Sequence, residues 1–345
     1  MSEKRTELSD LGEFGVIERI KNSVSIKQKS TNLGIGDDAA ILELKDEVQL
    51  ISTDMLLEGV HFDLSYMPLA HLGYKAVAVN VSDIAAMNGT PSQITVNIGL
   101  SNRFSLEAID AIYQGILKAC EDFNVDLVGG DTTSSASGLV LSITAIGSAK
   151  KDKVAKRSGA KKGDIICVTG DLGGAYLGLQ VLEREKQVFL ANPEMQPQLD
   201  KYEYIVERQL KPRARMDIIH ELAELKVIPS SMIDVSDGLG SELLHIAKSS
   251  NVGLQVYEDK FPVDKQTYDT GYELGIDATT AIINGGEDYE LLFTISQDDY
   301  EKLKNHADIH FIGYIKEASE GCKMVTKQEN LVDITAQGWN HLKKD

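Results

Sequence analysis

Two adjacent acids, Asp37 and Asp38, lie between a pair of glycines and a run of small apolar residues in the stretch Leu33-Gly-Ile-Gly-Asp-Asp-Ala-Ala-Ile41. At an effective dielectric constant near 20, two like charges about 4 Å apart repel each other by roughly 4 kcal/mol. A turn that holds two carboxylates side by side therefore needs either open water or a bound cation. The other acids of the chain favour the cation.

Acids next to small residues recur along the chain, several of them where a predicted strand ends. A single Asp after Gly is commonly a turn residue, but five such segments are less easily explained by turns alone. Hard cations such as Mg²⁺ take several oxygen ligands, often from carboxylates, water and substrate phosphates. The five segments are Gly36-Asp37-Asp38, Ser52-Thr53-Asp54, Ser82-Asp83, Gly129-Gly130-Asp131 and Asp234-Val-Ser236-Asp237-Gly238.

Asp83 provides separate evidence because of its position on a predicted helix over residues 69–88. It lies 4, 7 and 11 residues after Val79, Ala76 and Leu72, on the face that should be buried. An unpaired carboxylate there would be costly. A salt bridge and metal ligation both remain open for Asp83.

A dinucleotide-binding loop is the main competing interpretation of the first segment. Gly34-x-Gly36-x-x-Ala39 matches that fingerprint, and Asp54 lies where a ribose-binding acid would be. However, Asp37 and Asp38 would then face the pyrophosphate, and the polar residues 25–32 make a poor first strand. The chain also has no Gly-Lys-Ser/Thr loop and no protein-kinase catalytic-loop signature.

Composition sets broad limits on the protein. A chain of 345 residues with 42% hydrophobic and 26% charged residues has room for two globular domains. The net charge of −18 disfavours nucleic-acid binding, which depends on Lys and Arg. The apolar runs are shorter than the ~18 residues of a membrane span, and residues 1–7 lack the apolar segment of a signal peptide. We expect a cytoplasmic protein without membrane contact.

Strands and helices interleave through both halves, which predicts an α/β or α+β fold. The dense basic run 150–162 marks the predicted boundary between domains 1–149 and 150–345. This run is either a solvated linker or an anion site that includes Arg157. The three cysteines form no metal-binding pair, and neither Cys120 nor Cys167 has the pattern of a nucleophile. Predicted strands include 48–54, 92–100, 126–128, 139–147, 165–169, 232–234, 289–295, 309–314 and 331–334, and predicted helices include 8–23, 69–88, 105–123, 175–182, 200–210, 214–225, 239–249 and 297–304.

Taken together, these segments resemble the thiamine-monophosphate kinase family, within the wider aminoimidazole-ribonucleotide synthetase superfamily. The likeness runs in order from about residue 11 to Trp339. The segments that carry it are Gly34-Ile-Gly-Asp-Asp-Ala-Ala, Ile51-Ser-Thr-Asp54, Tyr74-Lys-Ala-Val-Ala-Val-Asn-Val-Ser-Asp-Ile-Ala-Ala-Met87, Leu127-Val-Gly-Gly-Asp-Thr-Thr133, Arg157-Ser-Gly-Ala, Ile233-Asp-Val-Ser-Asp-Gly-Leu239 and Gly285-Gly-Glu-Asp-Tyr-Glu290.

The resemblance implies a two-domain fold and a reaction. An N-terminal α/β domain would pair with its twin in a homodimer, and a C-terminal α+β domain would cover the nucleotide. The reaction would be direct in-line transfer of the γ-phosphate of ATP to thiamine monophosphate, which gives thiamine diphosphate and ADP, at a site with several Mg²⁺ ions.

The resemblance also implies roles for individual residues, with Asp54, Asp131 and Asp234 as the catalytic acids. Trp339 departs from the family, since a tyrosine is often found there. A packed ring at Trp339, a packed or surface imidazole at His61 and a simple turn at Glu287 are the structural alternatives. The magnesium ligands would be Asp38, Ser52, Thr53, Asp54, Asp83, Asp131, Asp234 and Asp237. The ATP contacts would be Gly130, Asp131, Arg157 and Ser236, and the thiamine phosphate contacts His61, Glu287 and Trp339.

Two other functions remain open from the sequence. A sister ATP-using synthetase would share the acidic segments and differ in the acceptor pocket. The selenophosphate-synthetase and hydrogenase-maturation relatives depend on a cysteine or selenocysteine near one terminus, whereas Cys120, Cys167 and Cys322 lie elsewhere. A non-catalytic protein that binds metal or nucleotide is the third possibility, and the nearly complete acidic set argues against it.

Overall fold

A computed structural model describes residues 31–335, together with Glu18, Lys21 and Asn22. The N-terminal domain is a six-stranded sheet with two long helices packed on one face. Its elements are β1 Thr31–Leu33, β2 Ala40–Glu43, β3 Glu47–Leu57, α1 Leu69–Ala86, β4 Thr90–Leu100, α2 Leu106–Phe123, β5 Asp126–Ser134 and β6 Val140–Lys150. The strand order is β1-β2-β3-β6-β4-β5, in which only the pair of β4 with the edge strand β5 is parallel.

Helix α1 is the centre of the N-terminal domain. Most of its residues are buried on every side, because it packs against α2, against the sheet and against elements of the second domain. Two glycines allow α1 and α2 to touch backbone to backbone. A Cβ atom at Gly73 would lie 2.0 Å from the Ile112 carbonyl oxygen, and one at Gly115 would lie 1.8 Å from that of Ala70. Any larger residue at either position would push the two helices apart.

The C-terminal domain is a seven-stranded, mostly antiparallel sheet with helices around it. Its strands are β7 Ile165–Thr169, β8 Ser231–Asp234, β9 Gly253–Tyr257, β10 Leu291–Ile295, β11 Ile309–Lys316, β12 Cys322–Val325 and β13 Leu331–Asp333, in the order β13-β12-β9-β11-β7-β10-β8. Its helices are α3 Gly174–Ala191, α4 Glu203–Leu210, α5 Met216–Glu224, α6 Leu239–Ser250, α7 Lys265–Leu274, α8 Ala278–Asn284 and the single turn α9 Tyr300–Leu303.

The two domains share apolar packing. Leu50 and Ile143 of the first sheet and Leu177 and Ile219 of the second domain belong to one continuous buried cluster. A second cluster, which includes Val168, Ile233 and Leu292, lies wholly within the C-terminal domain. In the described part of the chain, no helix combines the length and the apolar character that a membrane crossing requires.

Most predicted elements are confirmed, with four differences. The strand predicted to stop at residue 128 continues to Ser134, so Gly129, Gly130 and Asp131 lie within β5 and not in a turn after it. Helix α3, predicted over 175–182, continues to Ala191. Helices α7 and α8 and strands β1, β2, β9 and β12 were not predicted, because short segments resemble loops in sequence. The predicted helix 8–23 lies mostly outside the described residues.

Candidate active site

Three buried or half-buried carboxylates from separate elements meet between the two domains. Asp38, Asp83 and Asp234 each offer an oxygen that lies within 4.8 Å of those of the other two. Asp38 lies just before β2, Asp83 in the last turn of α1 and Asp234 at the end of β8. The carboxyl end of a helix carries partial negative charge, so the position of Asp83 increases the need for a cation.

Serine hydroxyls orient two of these acids. Ser52 of β3 donates to Asp83 Oδ2. Ser82 donates from its Oγ to Asp234 Oδ2 across 2.5 Å, which joins α1 to the second domain. The sequence had proposed Ser52 as a metal ligand and had not singled out Ser82.

Strand β3 presents its polar residues to opposite faces, as strand geometry requires. Ser52 is buried beside the acids, whereas Thr53 is exposed and donates to the Ile143 carbonyl oxygen at 2.9 Å on the neighbouring strand. Asp54 returns to the acidic side, where its backbone N–H donates to Asn80 Oδ1 at 2.9 Å. The structure therefore brings Ser52 and Asp54 to the acids, but not the Thr53 hydroxyl.

Burial and mutual repulsion disturb the ionisation of this cluster. Burial, and then the charge of Asp38, raise the pKa of Asp54 to about 6 and that of Asp234 to about 7. Burial and the charges of Asp54, Asp234 and Asp38 raise the pKa of Asp83 well above its usual value. Such carboxylates retain protons unless a positive charge stabilises their ionised form.

Arg157 provides one such charge at the start of the second domain. Its Nη2 atom lies 2.7 Å from Asp38 Oδ1, and its Nε lies 3.2 Å from Oδ2, a two-pronged contact. The Arg157 backbone N–H donates to Asp37, which also accepts the N–H of Asp38 at 3.1 Å. Burial opposes the Arg157 charge, but Asp38 and Asp37 raise its pKa overall. Asp38 thus belongs to the acidic cluster, whereas Asp37 organises the turn.

Gly130 and Asp131 lie apart from the cluster, on the exposed edge strand β5. Gly130 has a structural requirement of its own, since its φ is +153° and a Cβ would lie 1.8 Å from the Val96 carbonyl oxygen on β4. Asp131 pairs in register with Asn97 and is exposed. Within the described part of one chain, Asp131 therefore does not lie with Asp38, Asp83 and Asp234.

The segments after β8 and before β10 pair with each other beside the acids. The backbone N–H of Glu287 donates to the Ser236 carbonyl oxygen at 2.8 Å. The N–H of Asp237 donates to Glu242 Oε1 at 2.9 Å, and the other Glu242 oxygen is buried without a hydrogen-bond partner among the residues that the structure describes. Burial, and then Asp237, raise the pKa of Glu242 well above its usual value. This places Ser236, Asp237 and Glu287 along one wall of the site.

The predicted substrate contacts divide into three cases. His61 lies in the loop after β3, where its Nδ1 accepts the Leu57 N–H at 3.0 Å. Glu287 is half-buried and bonded to Lys75 and Gln209, two residues that sequence reasoning missed. The sequence did carry a signal for Lys75, because it is a lysine among apolar residues of a helix predicted to be buried. Trp339 lies outside the described residues.

A buried ion network behind Glu287 was also missed. Glu290 accepts from Arg208 at 2.7 Å, from Arg215 at 2.5 Å and from Thr169 Oγ1 at 2.6 Å. Asp288 accepts the N–H groups of Gly173 and Ala175 before α3 and in its first turn. Burial works against ionisation of Glu290, but Arg208 and Arg215 lower its pKa overall. This network fixes the segment that carries Glu287.

Comparison with known proteins agrees with this geometry. Residues 36–149 match the family of AIR synthase related proteins, N-terminal domain, and residues 161–321 match the C-terminal domain of the same family. The thiamine-monophosphate kinase of Bacillus subtilis is 34% identical over 96% of this chain and 100% of its own length. That of Aquifex aeolicus is 32% identical over 97% of this chain and 99% of its own.

A solved structure agrees with this relationship. AaThiL complexed with AMPPCP and TMP superposes with a TM-score of 0.84 and 31% identity, over 98% of this chain and 100% of that one. Identity above 30% over the full length of several relatives, with the same fold, identifies the family. The chain belongs to the thiamine-monophosphate kinase family.

Proposed function

We propose that this protein transfers the γ-phosphate of ATP to thiamine monophosphate and releases thiamine diphosphate and ADP. The observation that carries the proposal is the cluster of Asp38, Asp83 and Asp234, beside Arg157 and Glu287, at the junction of two domains. The AaThiL complex, in which a related chain holds an ATP analogue and TMP, supports the same assignment.

The donor set of the cluster fits Mg²⁺. The groups are hard oxygen ligands, and those of Asp38, Asp83 and Asp234 lie within 4.8 Å of one another. Burial raises the pKa of Asp54, Asp83 and Asp234, so a bound cation would stabilise their ionised forms. We assign Asp38, Asp54, Asp83 and Asp234 as its principal ligands, with Asp237 at the margin. Bound Mg²⁺ would neutralise phosphate charge, which is the main requirement of phosphoryl transfer.

The remaining chemistry concerns positioning. We assign Arg157, held by Asp38 and Asp37, to a phosphate oxygen. We assign Ser236, in the segment after β8, to the nucleotide. The acceptor is an ionised phosphate oxygen, so no general base is required, and we propose direct in-line transfer without a phosphorylated protein. Isolation of a phosphoprotein that passes its phosphate to thiamine monophosphate would overturn this part.

We also propose that the active form is a homodimer and that it works in the cytoplasm, where ATP is available. Strand β5 is an exposed sheet edge, and its Val128 is 58% exposed. Met55, on β3 of the same sheet, is 52% exposed. Natural proteins seldom leave a long edge strand uncovered. A second copy on this edge would cover Asp131 and Gly130 and bring them into an enclosed environment.

One assay tests the proposed function and its alternatives. The purified protein is incubated with Mg²⁺, ATP and thiamine monophosphate, and thiamine diphosphate and ADP are measured. Equal amounts of both products are expected. ADP without thiamine diphosphate would instead indicate a sister ATP-using enzyme. Binding of both substrates without any turnover would indicate a non-catalytic protein.

A further inference from the structure

Lys75 is a buried charge in the middle of helix α1. Its side chain is 1% exposed, and its neighbours along the helix are mostly apolar. The ammonium group donates to Glu287 Oε2 at 2.7 Å and to the Gln209 carbonyl oxygen at 3.1 Å. Both partners belong to the C-terminal domain. Burying an ammonium group is costly unless it is paired and hydrogen-bonded, and Lys75 meets that condition through partners across the domain boundary.

Two donors hold the same oxygen of Glu287. Gln209 Nε2 donates to Oε2 at 2.6 Å, in addition to the Lys75 contact at 2.7 Å. The backbone of Glu287 is also fixed, since its φ is +67°, an uncommon value for a residue with a side chain. Its N–H donates to the Ser236 carbonyl oxygen at 2.8 Å. These contacts hold Oε2 in place, on a side chain that is 27% exposed.

Stability alone explains this arrangement poorly. A buried ion pair often contributes no more to stability than apolar residues of the same volume would. An apolar residue of similar volume, such as methionine, would need no charged partner at this position. The presence of a lysine is better explained if its role is to orient the Glu287 carboxylate.

The same helix also carries groups of the acidic cluster. Ser82 lies seven residues after Lys75, two helical turns along the same face, and donates to Asp234 at 2.5 Å. Asp83 follows directly. Because the helix is rigid and buried, it sets the distance between Glu287 and the acids that face the phosphates.

We propose that Lys75 is a positioning residue for the acceptor substrate. By holding Oε2, it aims Oε1 of Glu287 at the cationic thiamine moiety, while α1 keeps that carboxylate at a fixed distance from the acidic cluster. The charged ring and the amino group of thiamine are suitable partners for a carboxylate. This inference rests on the proposed function.

The test compares Lys75→Met, which keeps the volume and loses the charge, with Lys118→Met as a matched control. Lys118 is an exposed lysine on α2, the helix that packs against α1. Lys75→Met should raise both KM and the calorimetric Kd for thiamine monophosphate about tenfold, while KM for ATP changes less than about twofold. Lys118→Met should change none of them. An equal loss of affinity for thiamine monophosphate and ATP, or no loss of affinity for either, would overturn the proposal.

A double-mutant cycle with Glu287→Gln shows whether Lys75 acts through Glu287. In the Glu287→Gln background, Lys75→Met should weaken thiamine monophosphate binding by less than about twofold, because the group that it positions has already been changed. A full additional tenfold loss would mean that Lys75 acts independently, and the proposal would fail.

Gln209→Leu decides the question if Lys75→Met does not fold. It removes the second donor to Oε2 and should raise the Kd for thiamine monophosphate without affecting that for AMPPCP. An unchanged Kd for thiamine monophosphate would overturn the positioning role. Failure of the proposed function is distinguishable, since the unaltered protein would then form no thiamine diphosphate at all.

Discussion

Ser82 Oγ lies 2.5 Å from Asp234 Oδ2, so a hydroxyl of the first domain orients an acid of the second. Both residues are buried. The contact means that the acidic cluster is complete only when the two domains are docked. It also stabilises the ionised form of Asp234, because a hydroxyl that donates to a carboxylate lowers its pKa and opposes the effect of burial.

Ser82→Ala tests this contact. Loss of the hydrogen bond should destabilise the protein by about 1 kcal/mol. Asp234 should then retain its proton more strongly, so the concentration of Mg²⁺ needed for half-maximal activity should rise several-fold, and more below neutral pH than above it. Ser92→Ala, which removes a hydroxyl bonded to the Ile146 carbonyl oxygen on the sheet, is the control and should leave the Mg²⁺ dependence unchanged.

Asp54→Asn should lower activity while leaving the protein folded. Turnover should fall at least about 100-fold, which corresponds to a loss of about 2.7 kcal/mol of transition-state stabilisation. The melting temperature of the metal-free protein should not fall, because the substitution removes repulsion from Asp38 and Asp83. Asp131→Asn should also lose most activity. Near-normal turnover of either variant at saturating Mg²⁺ would contradict a shared metal site.

The metal-free protein should lose stability as the pH rises from about 4 to about 7. Asp54 and Asp234 have a usual pKa of 3.8, which the fold raises to about 6 and about 7. In this range the folded state therefore binds more protons than the unfolded state, and stability decreases with pH. Urea denaturation in EDTA at several pH values measures this slope. Added Mg²⁺ should stabilise the protein most near the upper end of this pH range, where it displaces fewer protons. A greater stabilisation by Mg²⁺ at low pH would contradict the assignment of Asp54 and Asp234 as metal ligands.

Val128→Arg tests the proposed dimer. Val128 is exposed on the edge strand β5, and a charge there should prevent a second copy from covering the edge. Light scattering after size-exclusion chromatography should show a dimer for the unaltered protein and a monomer for the variant. Leu106→Arg, at an exposed site at the start of α2, is the control and should remain dimeric. An unaltered protein that is monomeric at all concentrations would rule out the dimer.

Glu290→Gln should destabilise the C-terminal domain. Glu290 is 2% exposed and neutralises Arg208 and Arg215, so loss of its charge removes the main counter-ion of one half-buried and one buried guanidinium group. The expected cost is about 3 kcal/mol, measured by chemical denaturation. Asp217→Asn, which changes the more exposed carboxylate that also contacts Arg215, should cost less than about 1 kcal/mol. Equal costs for the two variants would show that burial of Glu290 is not the cause.

The sequence by itself determined the features that depend on local periodicity and residue type. The helix over 69–88 could be predicted, with Asp83 on its buried side, because a 3.6-residue period encodes which face is apolar. Acids beside small residues could be recognised as candidate metal ligands, and the resemblance to the family implied that role for Asp38 and Asp234. The resemblance of whole segments then indicated the family.

Only the tertiary structure decided which of these residues meet. Ser82 and Asp234 are separated by 152 positions, and Lys75 and Glu287 by 212. Such contacts depend on how the two domains dock, and local sequence patterns do not predict domain docking. The fold also separated residues that seemed equivalent in sequence. Asp131 lies on an exposed sheet edge, because the close approach of Gly130 to β4 keeps its segment within the strand. Asp38, Asp83 and Asp234 form the cluster because the start of β2, the end of α1 and the end of β8 meet at the junction of the domains.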